Sequence, residues 1–537
     1  MKQKVLFILT MGIMIASTMQ GQTLTKRGLV YELYSDGTAG LVGTKAKIIG
    51  ERTIDAEIRS SNKTYRVNSV RARALAGQSY LTKLIINAEL DTIGIGAFRD
   101  CTMMSAVEPN GSVKILGSYA FANTGLKSID ISSWNPQSMG TGILAECREL
   151  TEAHLPAGIT VLPECTFSGC TSLIEPNLES LPLTKIEAHA LCNCSAITNL
   201  KLPDSIVTIG DDVFSGMTAL SEPNLPQGVT HIGHFAFKNC TSLENIELPE
   251  ALTGTGISPF YGCTSLREVT LPAKITGVEN MYMFDNCPAL EKILVNSANT
   301  KYTSTDGVLH LRTGNKLVAY PAGLSHSVHP TLPNVTEPLA PGALSHCELD
   351  AEMTLPRLTT TIAREAFANT TGMKSLRTES NPSLKTIDDF AFHNSKELNY
   401  VNMSSRVTSV GRSAFQCIPL ENIYLRSTTA PTMDASGFSE TTYANAVLHV
   451  PSNQTSAYKS TDGWGRFVSI EDDGLTAIQE VQADELSDDY YNLQGMRVTK
   501  PHKGIYIVNG QKTILSKRSY LPMKEDSFHR TGTEVTT

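Results

Sequence analysis

A pattern that returns every 23 residues constrains this chain more than any other feature in it. The stretch from Leu220 to Pro249 reads LSEPNLPQGVTHIGHFAFKNCTSLENIELP, and the pattern that opens at Leu220 opens again at Leu243. Leu225 returns as Leu248 and Phe237 as Phe260. A fixed step of about 20 to 30 residues is the signature of a solenoid. One large apolar residue, usually preceded by Ala, anchors each repeat. The anchors are Leu75, Phe98, Phe121, Leu144, Phe167, Leu191, Phe214, Phe237, Phe260 and Phe284, then Leu344, Phe367, Phe392, Phe415 and Phe438. Within each run the steps are 23, 24 or 25 residues, and only the gap of 60 from Phe284 to Leu344 breaks the rhythm.

Each repeated position has a physical reason. Leu200-Lys201-Leu202 and Ile246-Glu247-Leu248 alternate apolar and polar residues, as a short half-buried strand does. Pro203, Pro226, Pro249, Pro272 and Pro356 follow directly; proline cannot donate to a ladder, so it ends the strand and starts a bend. Ile209-Gly210, Ile232-Gly233 and Val410-Gly411 then turn a second apolar residue inward, with Gly easing the turn. The anchor fills the core, and Ala beside it lets neighbouring coils approach. A single coil cannot bury its own apolar face, so the coils must stack on one another.

The run Leu-x-x-Ile-x-Leu-Pro, followed by Val-x-x-Ile-Gly-x-x-Ala-Phe-x-x-Cys-x-Ser-Leu, resembles the BspA-type, or treponemal-type, leucine-rich repeat of bacterial surface and secreted proteins. The resemblance covers roughly residues 63 to 470 and implies a β-rich leucine-rich-repeat solenoid, with short strands and short helical turns, capped at both ends. It also implies a role in attachment, to host matrix proteins, other bacteria or surface glycans. The matching positions are all core positions, so the resemblance carries over no binding residue.

In chain order, Lys2 and Lys4 precede an apolar run from Val5 to Ile15 and a small-residue stretch to Gly21. This predicts a signal peptide over 1–21 rather than a membrane span, and hence an exported protein, at the cell surface or extracellular. No Cys precedes Cys101, which leaves no lipid attachment point behind that leader. Residues 22–62 lack the anchor and read as an N-terminal β cap, with strands at Leu29–Tyr34 and Ala46–Ile49. The first repeat section spans 63–295. A hairpin insert follows at 296–330, its two strands, Tyr302–Leu311 and Lys316–Pro321, flanking Thr313-Gly314-Asn315. The second section spans 331–445. A C-terminal cap at 446–470 holds Tyr458, Trp464, Phe467 and Ile470; an acidic linker occupies 471–489. A small β-module follows at 490–517, and 518–537 reads as a disordered tail. In the module, Pro501-x-x-Gly504-Ile505-Tyr506 resembles the C-terminal sorting domain of exported proteins in gram-negative anaerobes with a gliding-type secretion system. The chain runs past the point where such domains end.

Composition narrows the function classes. The 41% hydrophobic content supports a continuous core, and a net charge of −8 with no basic run argues against nucleic acid as a partner. Of the 11 cysteines, Cys101, Cys147, Cys170, Cys194, Cys240, Cys263, Cys287 and Cys347 all lie three residues after an anchor. They are one inward position repeated, where a free thiol behaves as a small hydrophobe. Cys165, Cys192 and Cys417 fall off that ladder. No Cys/His group has zinc spacing. His231 and His234 sit on a turn, and Gly94-Ile-Gly96 and Gly254-Thr-Gly256 are turn glycines without a third partner. No Gly-x-Ser-x-Gly, His-Glu-x-x-His or P-loop occurs. The sequence therefore predicts no enzyme, no catalytic or metal-binding residue, no cofactor and no membrane span.

What stacking does predict is a shared face. The polar positions between the strand apolars are Asp130, His154, Asn177, Lys201, Asn224, Glu247, Thr270, Arg377, Asn402 and Tyr424. With Tyr424 alone aromatic among them, no stacking stripe for sugars is expected. The candidate binding face is Lys201, Asn224, Glu247 and Thr270, continued by Asn177 and His154, and its expected partner is a protein or surface polymer. Two other readings stand beside it. One is an accessory glycan-binding protein or enzyme with its site in the insert; the other is a structural spacer.

Overall fold

The computed structural model describes residues 22–325, 330, 332, 335, 337–378, 381–416 and 418–474, together with the backbone of short strands between 490 and 515. The expected signal peptide, most of the acidic linker, the C-terminal tail and Cys417 lie outside the described residues. The chain divides into two units, one comprising 1–313 with 318–327 and the other 314–317 with 328–537. Both are built from the same β-solenoid coil.

In the first unit each coil supplies a strand to one or both of two parallel ladders. The first ladder runs through Ile49–Ile54, Tyr80–Ile86 and Ala106–Pro109, and further along through Ser128–Asp130 with Glu152–His154 and through Asn245–Glu247, Glu268–Leu271 and Lys292–Val295. The second ladder runs through Lys63–Val70, Leu90–Ile93, Val113–Leu116 and Ser138–Met139. It continues through the two-residue strands Val161–Leu162, Lys185–Ile186, Thr208–Ile209, His231–Ile232 and Gly254–Thr255. Register follows the repeat, so Thr208 pairs with His231 and Ile209 with Ile232. Before the first coil, Gln22–Lys26, Leu29–Leu33 and Thr38–Thr44 form an antiparallel meander that joins the second ladder through Lys63–Val70. The expected strand at Ala46–Ile49 starts at Ile49 instead.

Stacking places like on like. Phe98 lies 5.1 Å from Phe121, Phe214 4.9 Å from Phe237, and Phe237 5.4 Å from Phe260, measured between ring centroids. This spacing is close to the strand separation of about 4.8 Å, because ladder and ring column share one rise. Glycine is required where the backbones meet: a Cβ on Gly233 would fall 2.4 Å from the carbonyl carbon of Gly210.

The ladder cysteines do more than fill space. The Sγ of Cys240 donates to the carbonyl of Phe214 at 3.2 Å, that of Cys263 to Phe237 at 3.1 Å and that of Cys287 to Phe260 at 3.1 Å. Cys101, Cys147, Cys170 and Cys194 repeat the bond to the preceding anchor. Ser395 makes the same bond to Phe367 at 2.7 Å, so the position accommodates a small donor as well as the hydrophobes Met217 and Ile418 that hold it in other coils. All ten described cysteines are free thiols.

At 302–319 the structure departs from the expected two-strand insert. The segment read as one strand, Tyr302–Leu311, is itself a hairpin: Tyr302–Thr305 pairs antiparallel with Val308–Leu311 around Asp306-Gly307. Asp-Gly is a strong two-residue hairpin signal, and both residues take the left-handed backbone, with φ 52° and 86°. The third strand of this sheet is Leu317–Ala319. The hairpin packs onto the last strand of the first ladder, where the Ile293 amide donates to the Gly307 carbonyl at 2.8 Å. Tyr302 is fully buried; its hydroxyl accepts from the Val278 amide at 2.9 Å and donates to the Glu279 carboxylate.

In the second unit the first ladder holds six parallel strands: Glu352–Thr354, Ser375–Arg377, Tyr400–Met403, Asn422–Leu425, Val447–Val450 and Ser469–Asp472. The second ladder holds Thr361–Ile362, Thr386–Ile387, Ser409–Val410 and Thr432–Met433. Phe367, Phe392, Phe415 and Phe438 stack at 5.1 to 5.2 Å. The helix Glu440–Asn445, capped by Ser439, then brings Tyr443 against Phe438, joined by Trp464 and Phe467. Trp464 is fully buried and its indole donates to the Pro431 carbonyl at 2.7 Å; it closes the core rather than offering a platform for sugars. The backbone strands Tyr490–Tyr491, Arg497–Val498, Gly504–Val508 and Gln511–Leu515 form a separate antiparallel sheet.

Two outcomes are expected. Phe237→Ala should cost about 3 to 5 kcal/mol, and limited proteolysis should show new cleavage confined to the adjoining coils, between Leu202 and Leu271, because contacts in a solenoid are local. Burial pushes the thiols of Cys101 and Cys263 up to about 12, and the other ladder cysteines described are buried with them. Titration with a thiol reagent near pH 8 should therefore leave the eight ladder thiols unreacted in the native protein. All eight should appear on denaturation without reductant.

Candidate functional site

The first-unit face expected to bind is not a continuous ladder. The middle coils carry Glu-Pro-Asn where a strand would run, at Glu175-Pro176-Asn177 and Glu222-Pro223-Asn224. Proline lacks the ladder donor, and both asparagines take the left-handed backbone, φ 52° and 42°. Pairing there falls to single bridges, Glu152 with Glu175 and Asn199 with Glu222. The expected strand Leu200–Leu202 is accordingly absent. The asparagine side chains replace part of the lost ladder. Asn177 Nδ2 donates to the carbonyls of Ala153 at 3.2 Å and Glu175 at 3.3 Å, and Asn224 Nδ2 to Asn199 Oδ1 at 2.9 Å and the Glu222 carbonyl at 3.2 Å.

Where regular strands resume at Asn245–Glu247, the break leaves an open groove of about 650 Å³. Asn224 and Glu247 both line it. So do Asp204, Glu222 and Glu244, which makes its charge negative. Neighbouring carboxylates are tied to cations, Glu291 to Arg267 at 3.4 Å and Glu268 to Lys292 at 4.0 Å. Glu222 accepts an amide hydrogen bond from Asn199 at 2.8 Å.

The other expected positions separate by role. Glu247 and Thr270 are register partners on adjacent strands, and so are Asp130 and His154. His154 is bound to Glu152 at 2.8 Å on its own strand. Hydrogen bonds from the Ser132 side chain and amide hold the Asp130 carboxyl below its ordinary value, with a smaller contribution from His154. Lys201 reaches Glu179 at 4.0 Å across the surface. Thus Asn224 and Glu247 come together in one groove, Glu247 meets Thr270, and Asn177 is a structural residue.

The second unit carries an aromatic row that the positions between strand apolars do not contain by themselves. Tyr400 and Tyr424, on adjacent strands, lie 5.3 Å apart, and Tyr424 stacks on His449 at 4.1 Å with an interplanar angle of 8°. The Arg377 guanidinium sits 4.7 Å from the Tyr400 ring and that of Arg426 5.3 Å from the Tyr424 ring. Burial holds the His449 imidazole below its ordinary pKa, against the pull of Glu471 and Asp473. Counting only the residue between two strand apolars hid this row, because Tyr400 starts its strand and His449 belongs to the cap. The register Tyr400 with Asn422 and Tyr424 with His449 was the signal.

Among the described residues no helix is long and apolar enough to cross a membrane, and no group of three His, Cys, Asp or Glu side chains could hold a metal ion. The profile described as "BspA type Leucine rich repeat region" matches six copies over residues 68–198, 184–305 and 338–461. The chain belongs to the BspA-type leucine-rich repeat family. Similar solved structures include a leucine-rich repeat protein from Bacteroides ovatus, 20% identical, covering 75% of this chain and 94% of that one at a TM-score of 0.43. A leucine-rich cell surface protein from Faecalibacterium prausnitzii is 20% identical over 86% of this chain and 99% of that one, at 0.35. The pneumococcal vaccine antigen PcpA is 13% identical over 86% and 99%, at 0.30. No curated protein sequence matches the chain.

The role of Asn224 in this BspA-type array is testable by substitution. Asn224→Gly keeps the left-handed backbone, whereas Asn224→Val places a β-branched residue there at roughly 1 to 3 kcal/mol. Denaturant melts should rank wild type, then Gly, then Val in decreasing stability.

Proposed function

We propose that this protein is an exported or surface-held binding protein of the BspA type, which recognises a protein partner through the first-unit face around Glu222, Asn224, Glu244, Glu247 and Thr270. The observation that carries the reading is the acidic groove left where Glu222-Pro223-Asn224 interrupts the strand ladder. Its walls come from stacked coils whose backbone is held by hydrogen bonds, so little ordering cost falls on binding. Its shape is open and its lining polar, which suits an extended segment of a protein better than an enclosed small molecule. Its charge selects a basic segment. The leader-like pattern at residues 1–21 supports export, and Pro501-x-x-Gly504-Ile505-Tyr506 supports delivery by a sorting system.

Charge reversal at Glu244→Lys with Glu247→Lys tests this. A fluorescent Lys-rich peptide should bind the wild-type chain more tightly than a matched neutral peptide, and the double variant should lose that preference. Binding should also weaken as salt rises, since exposed charges are screened within about 10 Å at 0.1 M. Equal binding of both peptides to wild type, or no change on charge reversal, would move recognition to another face.

A further inference from the structure

The N-terminal cap carries an open seam. Its strands follow the path Gln22–Lys26, Leu29–Leu33, Thr38–Thr44, Lys63–Val70 and Glu57–Ser60, each paired with the next. The sheet curls around Tyr31, Leu41, Ile58 and Val67, all buried, so its first and last strands face one another. Leu24, Thr25 and Lys26 from one and Glu57 and Arg59 from the other line a cleft of about 390 Å³. The Lys26 ammonium ties the two sides at Asp55, 2.8 Å away. Among the described residues, no backbone hydrogen bond joins 22–26 to 55–60.

Register shows which backbone groups the seam exposes. Alternate residues of a strand direct both N–H and C=O to the same side. The Lys45 amide donates to the Gly28 carbonyl and the Tyr34 amide to the Thr38 carbonyl, so the even-numbered side of Leu29–Leu33 belongs to Thr38–Thr44. Leu29, Tyr31 and Leu33 therefore bond their partners Lys26, Leu24 and Gln22. That leaves Thr23 and Thr25 with N–H and C=O turned to the seam. On the far side, the Val67 amide donates to the Ala56 carbonyl at 2.9 Å. Ile58 and Ser60 share that direction, and Glu57 and Arg59 turn theirs to the seam.

Two open edges thus oppose one another. An open edge is a template for another strand, and a barrel removes its edges by closing. With a rise of about 3.3 Å per residue, a strand spacing of about 4.8 Å and a layer about 10 Å thick, the cleft holds about two to three residues of extended chain. A helix satisfies its own backbone groups and could not use these edges.

Charge and polarity narrow the occupant further. Lys26 is neutralised by Asp55, and Glu57 and Arg59 carry opposite signs, so the seam has no net charge with which to select a charged segment. Inward, Leu24 is half-buried against the cap core, a contact that an apolar side chain extends. Thr23, Thr25, Glu57 and Arg59 are exposed, so the alternate residues of an added strand lie in solvent.

We propose that this seam is a strand-addition site, which takes an extended, uncharged segment of a partner protein with apolar residues at alternate positions. Main-chain hydrogen bonds supply affinity in this mode, and the alternate side chains supply specificity. The site is separate from the acidic groove.

Two measurements on the full chain test it. In amide hydrogen exchange of the free protein, Thr25 and Arg59 should exchange fast and Leu24 and Ile58 slowly. Fluorescence anisotropy then uses a labelled Thr-Val-Thr-Val-Thr-Val-Thr peptide and the same peptide N-methylated at its valines. The unmethylated peptide should bind and slow exchange at Thr25 and Arg59. The methylated one should bind about tenfold or more weakly, since several hydrogen bonds are lost. Thr25→Pro and Arg59→Pro should each weaken binding about fivefold or more. Proline is tolerated on an edge strand where the N–H faces away from the ladder, and thermal melts confirm that both variants fold. Glu244→Lys with Glu247→Lys should leave binding unchanged. Slow exchange of Thr25 and Arg59 in the free protein, no binding at millimolar peptide, equal binding of the two peptides, or indifference to both proline variants would overturn the proposal. Self-association of the free chain, abolished by Thr25→Pro, would overturn it in favour of edge pairing between two copies.

Discussion

Everything in this protein rests on the contact between one coil and the next. A 23-residue coil has too little apolar surface to fold by itself. It becomes stable when its anchor lies on the anchor of a neighbour and its short strands join the neighbour's ladders. The rise of that stack is set by backbone hydrogen bonding at about 4.8 Å. The ring columns from Phe214 to Phe260 and from Phe367 to Phe438 keep nearly the same spacing. The glycine column that includes Gly210, Gly233 and Gly256 exists because no Cβ fits at that distance.

The same constraint explains why free thiols recur in the core. In most coils the position three residues past the anchor faces the carbonyl of the preceding anchor, and a small side chain with a weak donor suits it. Cys meets both needs, and Ser395 meets them in the second unit. Seven of the ladder thiols, from Cys101 to Cys287, are committed to a carbonyl of the adjacent coil, so that column of cysteines is a set of parallel bonds between coils.

The surface features that distinguish one part of the array from another are departures from the repeat. Where the ladder is regular, outward residues are spread along a flat surface and neighbouring charges neutralise one another, as Glu268 does with Lys292. Where Glu222-Pro223-Asn224 interrupts it, the surface is hollowed and acidic. Where aromatic residues fall on adjacent strands within reach of arginine, a stacked strip forms. An unchanging core thus leaves the outward positions free to vary one coil at a time.

The sequence by itself determined the fold class and the inward residues, because burial imposes a period that survives in a linear reading. All fifteen anchors were legible for that reason, as was the ladder of eight cysteines, though not the hydrogen bond each thiol makes. The tertiary structure alone decided which outward residues meet. Asn177 and Asn224 occupied binding-face positions on paper, yet positive φ turned their amides onto backbone carbonyls. Tyr400, Tyr424 and His449 came from different positions in the written repeat, yet diagonal and direct strand neighbours brought their rings together. Asp306-Gly307 divided a run that reads as one strand. Inward positions answer to a core common to every coil, so local pattern reveals them. Outward positions answer only to their neighbours in space, and those are set by register, backbone sign and strand breaks that no single coil contains.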